Sequence, residues 1–448
     1  MNRLLIKNAT LVNEDRQQQA DVLVINQRIE KIAADIPLTP NTQLIDASGL
    51  YLLPGMIDDQ VHFREPGLTH KGKLATESRA AVAGGTTSFM EMPNTNPQTI
   101  TLEALEAKYE LASHEAIANY SFYLGATNDN LEQIKRLDRN QTCGIKVFMG
   151  ASTGNMLVDN PDTLAGIFRE APTLIATHCE NTPMIKLAED AARARFGEDV
   201  PAREHAHIRS AEACYSSSSM AVELAKRYHA KLHVLHITSA KELELFTACD
   251  DIRDLGNKDI TAEVCAHHLF FNEHDYDHLG HLIKCNPSIK TVADQQALLA
   301  AVNSGVLSVI ATDHAPHSWE EKQNTYFKAP SGLPLCQHAL LSLLEHYHKG
   351  VFSLETIVKR TSHAVAERYQ IKDRGYLREG YFADLVLVDI NQHFRVTKDN
   401  LLYLCQWSPF MDFDFKSRIH TTIVNGHIAY QNGQIQTAEF GQRLEFTR

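Results

Sequence analysis

The residues able to do chemistry are scattered along the chain, yet each stands at the same kind of place. Gln60 and His62 close the apolar run in Pro54-Gly-Met-Ile-Asp-Asp-Gln-Val-His-Phe-Arg-Glu-Pro-Gly67. Strand alternation puts positions 60 and 62 on one face, so both side chains can approach one ion from a rigid strand end. Lys146, His178, His236 and Asp313 each end a further short, apolar, β-rich run. Imidazoles are donors suited to zinc, and Asp313, in Val309-Ile-Ala-Thr-Asp-His-Ala-Pro-His317, is able both to bind a metal and to carry a proton. Taken singly, each has a plainer reading, as a hydrogen-bonded core histidine or a helix-capping aspartate. Such residues after four different runs favour a metal centre.

Two positions need closer reading. In His233-Val-Leu-His236 a spacing of three cannot place both rings on one strand face, so the strand-end His236 is the candidate. Lys146 lies in Gly144-Ile-Lys-Val-Phe-Met149, where an uncompensated ammonium is costly. An ammonium has no lone pair for a metal, whereas a lysine carboxylated on its side-chain nitrogen offers two anionic oxygens that bridge cations. The plainer alternative is a lysine reaching a salt bridge. Asp58 and Asp59 form either a simple turn or a hydrogen-bonding support that orients the His62 ring, outside the catalytic core.

The elements that would position these groups follow a βα rhythm. Strand-like runs occur near Leu50 to Ile57, Thr86 to Glu91, Ala118 to Leu124, Gly144 to Met149, Thr173 to Thr177, Lys231 to His236, Ile260 to Val264 and Leu307 to Ala311. Helix-compatible segments intervene at Leu74 to Ala83, Leu102 to Ala116, Pro183 to Arg195, Ala206 to Arg227, Ser239 to Thr247 and Val292 to Ser304. Eight strands with outer helices indicate an α/β fold, a TIM-like (β/α)8 barrel whose strand ends gather polar groups; an open doubly wound sheet would instead place its ligand at a reversal of strand order. Short strands at Leu4 to Val12, Ala20 to Ile25 and Arg28 to Ile32 are matched by Phe382 to Val388, Ile419 to Val424 and His427 to Tyr430, so the two chain ends are expected to share a small β domain. The expected division is 1–52 and 379–448 for the small domain and 53–378 for the catalytic barrel.

Here the motifs carry a family resemblance. Asp58-Asp-Gln-Val-His-Phe-Arg-Glu-Pro-Gly67 resembles the Asp-x-His-x-His-x-Arg-Glu-Pro-Gly signature of dihydroorotases in the amidohydrolase superfamily, with Gln60 in place of its first histidine. Met92-Pro-Asn-Thr95, Gly144-Ile-Lys-Val147, Thr177-His-Cys-Glu180, Leu235-His-Ile-Thr-Ser-Ala240 and Ala311-Thr-Asp-His-Ala-Pro-His317 keep the family order over nearly the whole chain. The resemblance implies a metal-dependent hydrolase barrel with a β-sandwich from both termini, and one or two Zn2+ ions per subunit. It makes Lys146 a carboxylated lysine bridging two metals, the first held by the early histidine pair and Asp313, the second by His178 and His236. Gln60 leaves a one-metal centre and a lopsided two-metal centre both open, because an amide oxygen is a weaker donor than imidazole.

The resemblance further implies that Arg64, Asn94 and His317 receive the carboxylate of dihydroorotate and that Asn286 meets its ring. The arginine fork matches a carboxylate bidentately. It also speaks against an allantoinase, whose similar motif carries asparagine there. The implied reaction is reversible hydrolysis of (S)-dihydroorotate to N-carbamoyl-L-aspartate in pyrimidine synthesis, with Asp313 as general base and then general acid. The rival classes are another cyclic amidohydrolase, of the hydantoinase or dihydropyrimidinase kind, and a non-catalytic scaffold subunit.

Composition narrows the partners. A formal charge of -12 over 448 residues argues against a nucleic-acid surface, which needs a basic footprint. No stretch approaches the roughly 18 apolar residues of a membrane span, and the first residues alternate like a strand rather than a signal peptide, so a cytoplasmic protein acting on a small molecule is expected. The 8 cysteines lack close pairing and are expected to be reduced thiols. A homodimer is the expected assembly.

Overall fold

The computed structural model describes residues 2–150, 156–436 and 439–448. Its centre is a sheet of eight parallel strands: Met56–Val61, Thr86–Glu91, Asn119–Gly125, Gly144–Phe148, Ile175–His178, Leu232–Val234, Ile260–Cys265 and Val309–Ala311. Their residues are buried almost throughout, as expected of parallel strands wrapped by helices. The barrel closes where Val61 bridges His314 and the His62 N–H donates to the His314 carbonyl at 2.7 Å. The predicted TIM-like barrel is therefore present.

The chain ends build one nine-stranded sheet, as the matching strand patterns predict. Arg3–Asn13 pairs antiparallel with Arg16–Ile25 and parallel with Tyr51–Pro54, which in turn pairs antiparallel with Leu385–Asp389. Arg418–Val424 and His427–Gln431 extend that C-terminal side. The single strand expected over Leu50 to Ile57 is in fact two: Tyr51–Pro54 belongs to the terminal sheet and Met56–Val61 to the barrel. Gly55 is the joint. A Cβ there would lie 2.1 Å from Thr87 Oγ1, so only glycine lets the chain pass the second barrel strand.

Helices flank the barrel strands. Leu74–Ala83, Leu102–Glu115 and Val292–Ser304 fall where the periodicity predicts them, the last with Thr291 capping the N–H of Asp294. The segment expected as one helix over Ala206 to Arg227 breaks into His205–Ile208 and Ala211–Tyr228, because Ser210 leaves the helix to accept from the Ala213 N–H. Ser239 to Thr247 contracts to a 3-10 turn at Lys241–Leu245, where Glu242 accepts from Ser239 and Ser218. No helix among the described residues is long and apolar enough to cross a membrane.

Candidate metal centre and substrate pocket

Gln60, His62, Arg64, Lys146, His178, His236, Asn286 and Asp313 all line one small pocket at the carboxyl ends of the barrel strands. That is the face on which barrels of this kind place their chemistry. Several of the backbones there are held in the left-handed region, Arg64 at φ 73°, His236 at φ 41° and Asp313 at φ 48°. Non-glycine residues seldom adopt it, and each instance costs about 1 to 3 kcal/mol. The strand ends thus turn these side chains inward against a local conformational preference.

Around the first strand, Asp313 Oδ1 lies 3.2 Å from His62 Nε2 and accepts from Gln60 Nε2 at 3.0 Å. His62 Nδ1 lies 2.8 Å from Asn94 Oδ1, which as an acceptor fixes the proton on Nδ1 and leaves the Nε2 lone pair facing the aspartate. Burial lowers the His62 pKa and favours the neutral ring. Gln60 presents its NH2 to the carboxylate, and its amide oxygen turns away toward Cys265 Sγ, 3.9 Å distant. As oriented, position 60 gives this end of the cavity a hydrogen-bond donor and no lone pair.

The other end is built from imidazoles. His178 Nδ1 and His236 Nε2 stand 3.0 Å apart, and His178 Nε2 is 3.0 Å from Glu180 Oε2, close enough for an ion pair though off the line of a good hydrogen bond. Two nitrogens on one tetrahedral zinc would be about 3.3 Å apart, so the pair is nearly set for an ion. Glu180, itself paired with Arg209, is the carboxylate that orients a ligating histidine in such sites. It stands in the Thr177-His-Cys-Glu180 motif, two residues beyond His178, and that adjacency was its only signal in the sequence.

Lys146 completes the set. It is 1 % exposed, and no hydrogen bond or ion pair reaches its Nζ among the described residues; the Phe148 ring, 4.8 Å away, is its cushion. Burial pulls its pKa down to about 8. A lysine so depressed is partly neutral, and the neutral amine is the form that takes up carbon dioxide. The salt bridge of the plainer reading is absent among the described residues.

Asp58 and Asp59 do not orient His62. Asp58 accepts from the Thr312 hydroxyl at 2.6 Å and the Thr312 N–H at 3.1 Å, and burial pushes its pKa up to about 8. Asp59 accepts from Tyr369 Oη at 2.8 Å and faces His233 at 3.3 Å. Asp59 is thus engaged inside the barrel and Asp58 with the end of the neighbouring strand, and Asn94 supports His62 instead.

Arg64 and Asn286 face the cavity. Asn94 and His317 stand behind its wall, with the ring nitrogens of His317 near Lys71 Nζ at 3.0 Å, Ser331 O at 3.1 Å and an Arg64 NH2 at 3.1 Å. When Lys71 donates to Nδ1, Nε2 carries the proton and gives it to Ser331, so the Arg64 NH2 gains no acceptor there. Arg64 donates from Nε to the Pro316 carbonyl at 3.1 Å, and it meets no carboxylate within salt-bridge distance among the described residues. It is 3 % exposed. A buried guanidinium fork without an anion thus faces the pocket. Asn286 Oδ1 is likewise buried with no hydrogen-bond partner.

The barrel with this polar centre is the architecture of the metal-dependent cyclic amide hydrolases. Residues 51–429 match the amidohydrolase family, and the chain belongs to it. A dihydroorotase of Halobacterium salinarum is 33% identical over 395 residues, covering 87% of this chain and 88% of that protein. An allantoinase of Desulfitobacterium hafniense is 29% identical over 449 residues, covering 98% of each. Among solved structures, an L-hydantoinase (dihydropyrimidinase) from Arthrobacter aurescens superposes with a TM-score of 0.92 at 26% identity, covering 99% of this chain and 100% of that one.

Proposed function

We propose that this protein is a zinc-dependent dihydroorotase, hydrolysing (S)-dihydroorotate reversibly to N-carbamoyl-L-aspartate and serving ring closure in pyrimidine synthesis. The observation that carries the reading is Arg64. A buried guanidinium that lines the cavity without a carboxylate of its own is costly unless the substrate brings one. Dihydroorotate has that carboxylate; hydantoin, dihydrouracil and allantoin do not. Asn286 Oδ1 supplies a waiting acceptor for a ring N–H.

The donor set suits zinc: His178 and His236, a carboxylated Lys146, and His62 with Asp313. When bound, zinc supplies Lewis acidity, bringing water's pKa toward about 7 and polarising an amide carbonyl. The chain's own groups do the rest. Asp313, beside His62, takes a proton from the attacking water as general base and returns it to the departing ring nitrogen as general acid. Asn94 holds the His62 tautomer, Glu180 orients His178, and Arg64 fixes the ring by its carboxylate.

The deciding experiment is turnover of dihydroorotate and N-carbamoyl-L-aspartate by zinc-quantified protein, with hydantoin, dihydrouracil and allantoin alongside. The expected result is strong preference for the carboxylated pair. The L-hydantoinase likeness favours a second reading, a neutral-ring hydrolase, which predicts turnover of dihydrouracil or hydantoin instead. Gln60 favours a scaffold subunit, which predicts no turnover of any of them at full metal loading.

A further inference from the structure

Behind Gln60 the seventh barrel strand, Ile260–Cys265, runs directly into the short helix Ala266–Phe270. The junction places Cys265, His267 and His268 together, all buried, with one ligand atom from each within 4.8 Å of the others. Neither ring nitrogen of His267 is in hydrogen-bond geometry with a described residue, and the Thr312 backbone is the polar group beside it. His268 Nε2 faces the Pro287 carbonyl at 3.1 Å and so carries the proton. That leaves Nδ1, which has no partner, as a lone pair. Buried polar atoms are nearly always satisfied, so nitrogens left without a well-aligned partner on two neighbouring rings call for an occupant.

A second buried triad makes the contrast. Asp59, His233 and Glu263 also lie within 4.8 Å of one another. There, however, Tyr369 and Thr261 hydroxyls reach Asp59 and His233 at 2.8 and 2.7 Å, and the ring's other nitrogen rests 3.3 Å from both acids. Protein groups meet most of that cluster's polar demand. They do not meet it around His267.

We propose that Cys265, His267 and His268 form a separate zinc site, distinct from the centre at the strand ends. One thiolate and two imidazoles are a donor set that zinc favours, and a backbone carbonyl fixing the far nitrogen of His268 is the usual support for a ligating ring. Tetrahedral sulfur–nitrogen and nitrogen–nitrogen edges would be about 3.3 to 3.6 Å, so side-chain rotation closing gaps of roughly an ångström completes the site. Oxygen donors for the fourth position are at hand, since Gln60 Oε1 and Glu263 Oε1 each lie 3.9 Å from Cys265 Sγ. Metal entry displaces the thiol proton to solvent.

The test uses the zinc-saturated full chain and X-ray absorption at the zinc edge. The ligands of the strand-end centre are all nitrogen and oxygen, so a sulfur shell at about 2.3 Å reports this site alone. The expected spectrum contains that shell in the wild type, loses it in Cys265→Ser, and keeps it in His178→Ala, which reduces the strand-end centre. A saturated wild type without sulfur scattering, or a shell that survives Cys265→Ser, overturns the proposal. The wild-type spectrum decides even if the serine variant does not fold. Failure of the dihydroorotase reading would appear separately, in the substrate panel.

Discussion

At the scale of the residue, the proposed function makes substrate choice turn on Arg64 and metal retention on Gln60. Replacing Arg64 by alanine removes a desolvated charged contact worth about 2 to 5 kcal/mol, so kcat/KM for dihydroorotate should fall roughly thirtyfold to several thousandfold. Zinc content should not change, because the guanidinium is not a donor. Any turnover of dihydrouracil should move little, and an equal loss on both substrates would show that Arg64 supports the pocket rather than reading a carboxylate. Gln60 makes the two ends of the centre unequal. Its NH2 faces Asp313, whereas His178 and His236 keep both imidazoles on the other side. During chelation, site-resolved anomalous scattering should show zinc leaving the His62 and Asp313 end first, and Gln60→His should slow that loss. Earlier loss from the His178 and His236 end would contradict this ordering.

At the scale of the element, the joint between the terminal sheet and the barrel is a single residue. Gly55→Ala would drive a Cβ to 2.1 Å from Thr87 Oγ1 and 2.3 Å from Thr87 Cγ2. Such overpacking costs typically about 1 to 3 kcal/mol, readable as a lower denaturant midpoint. Because the clash is with one side chain, Gly55→Ala with Thr87→Ala should recover part of the loss, and additive losses would place the strain in the backbone instead. The same joint marks where pattern reading stops. Leu50 to Ile57 is one apolar run, and hydrophobicity alone does not say that its halves serve different sheets. The barrel was legible because its strands are short apolar runs at regular intervals, several of them leading into polar residues such as His178, His236 and Asp313. What local pattern lacks is the partner across the fold: Asn94 behind His62, Lys71 behind His317, and the Tyr369 hydroxyl that draws Asp59 inward. Those contacts span dozens to hundreds of positions, and no spacing rule reaches them. The break at Ser210 was different, since a serine before Ala211-Glu-Ala is a cap signal that the long helical period masked.

At the scale of the whole molecule, His363 ties the terminal sheet to the barrel's last helical segment, and its protonation sets an acid limit on stability. Its Nδ1 donates to the Gly375 carbonyl at 2.6 Å, its Nε2 accepts from the Glu14 N–H at 3.0 Å, and its ring stacks on Tyr376 at 4.2 Å. Only the neutral ring both donates and accepts in this way. Burial, foremost, pulls its pKa down to about 4. An unfolded histidine titrates near 6.5, so between about pH 6.5 and pH 4 the unfolded chain binds a proton that the folded chain refuses. The stabilisation is complete above pH 6.5 and is lost as pH falls, by about 1.4 kcal/mol per pH unit from this one group. Burial likewise lowers the His338 and His346 pKa values, to about 3 and about 4, and steepens the same slope. His363→Gln keeps a donor and an acceptor in place of the two ring nitrogens while removing the titration. Urea unfolding measured at intervals from pH 7 to pH 4 should therefore show a shallower loss of stability in the glutamine variant, by close to one proton's worth. Parallel curves for the two proteins would mean that His363 titrates alike in both states, and would remove it from the acid limit.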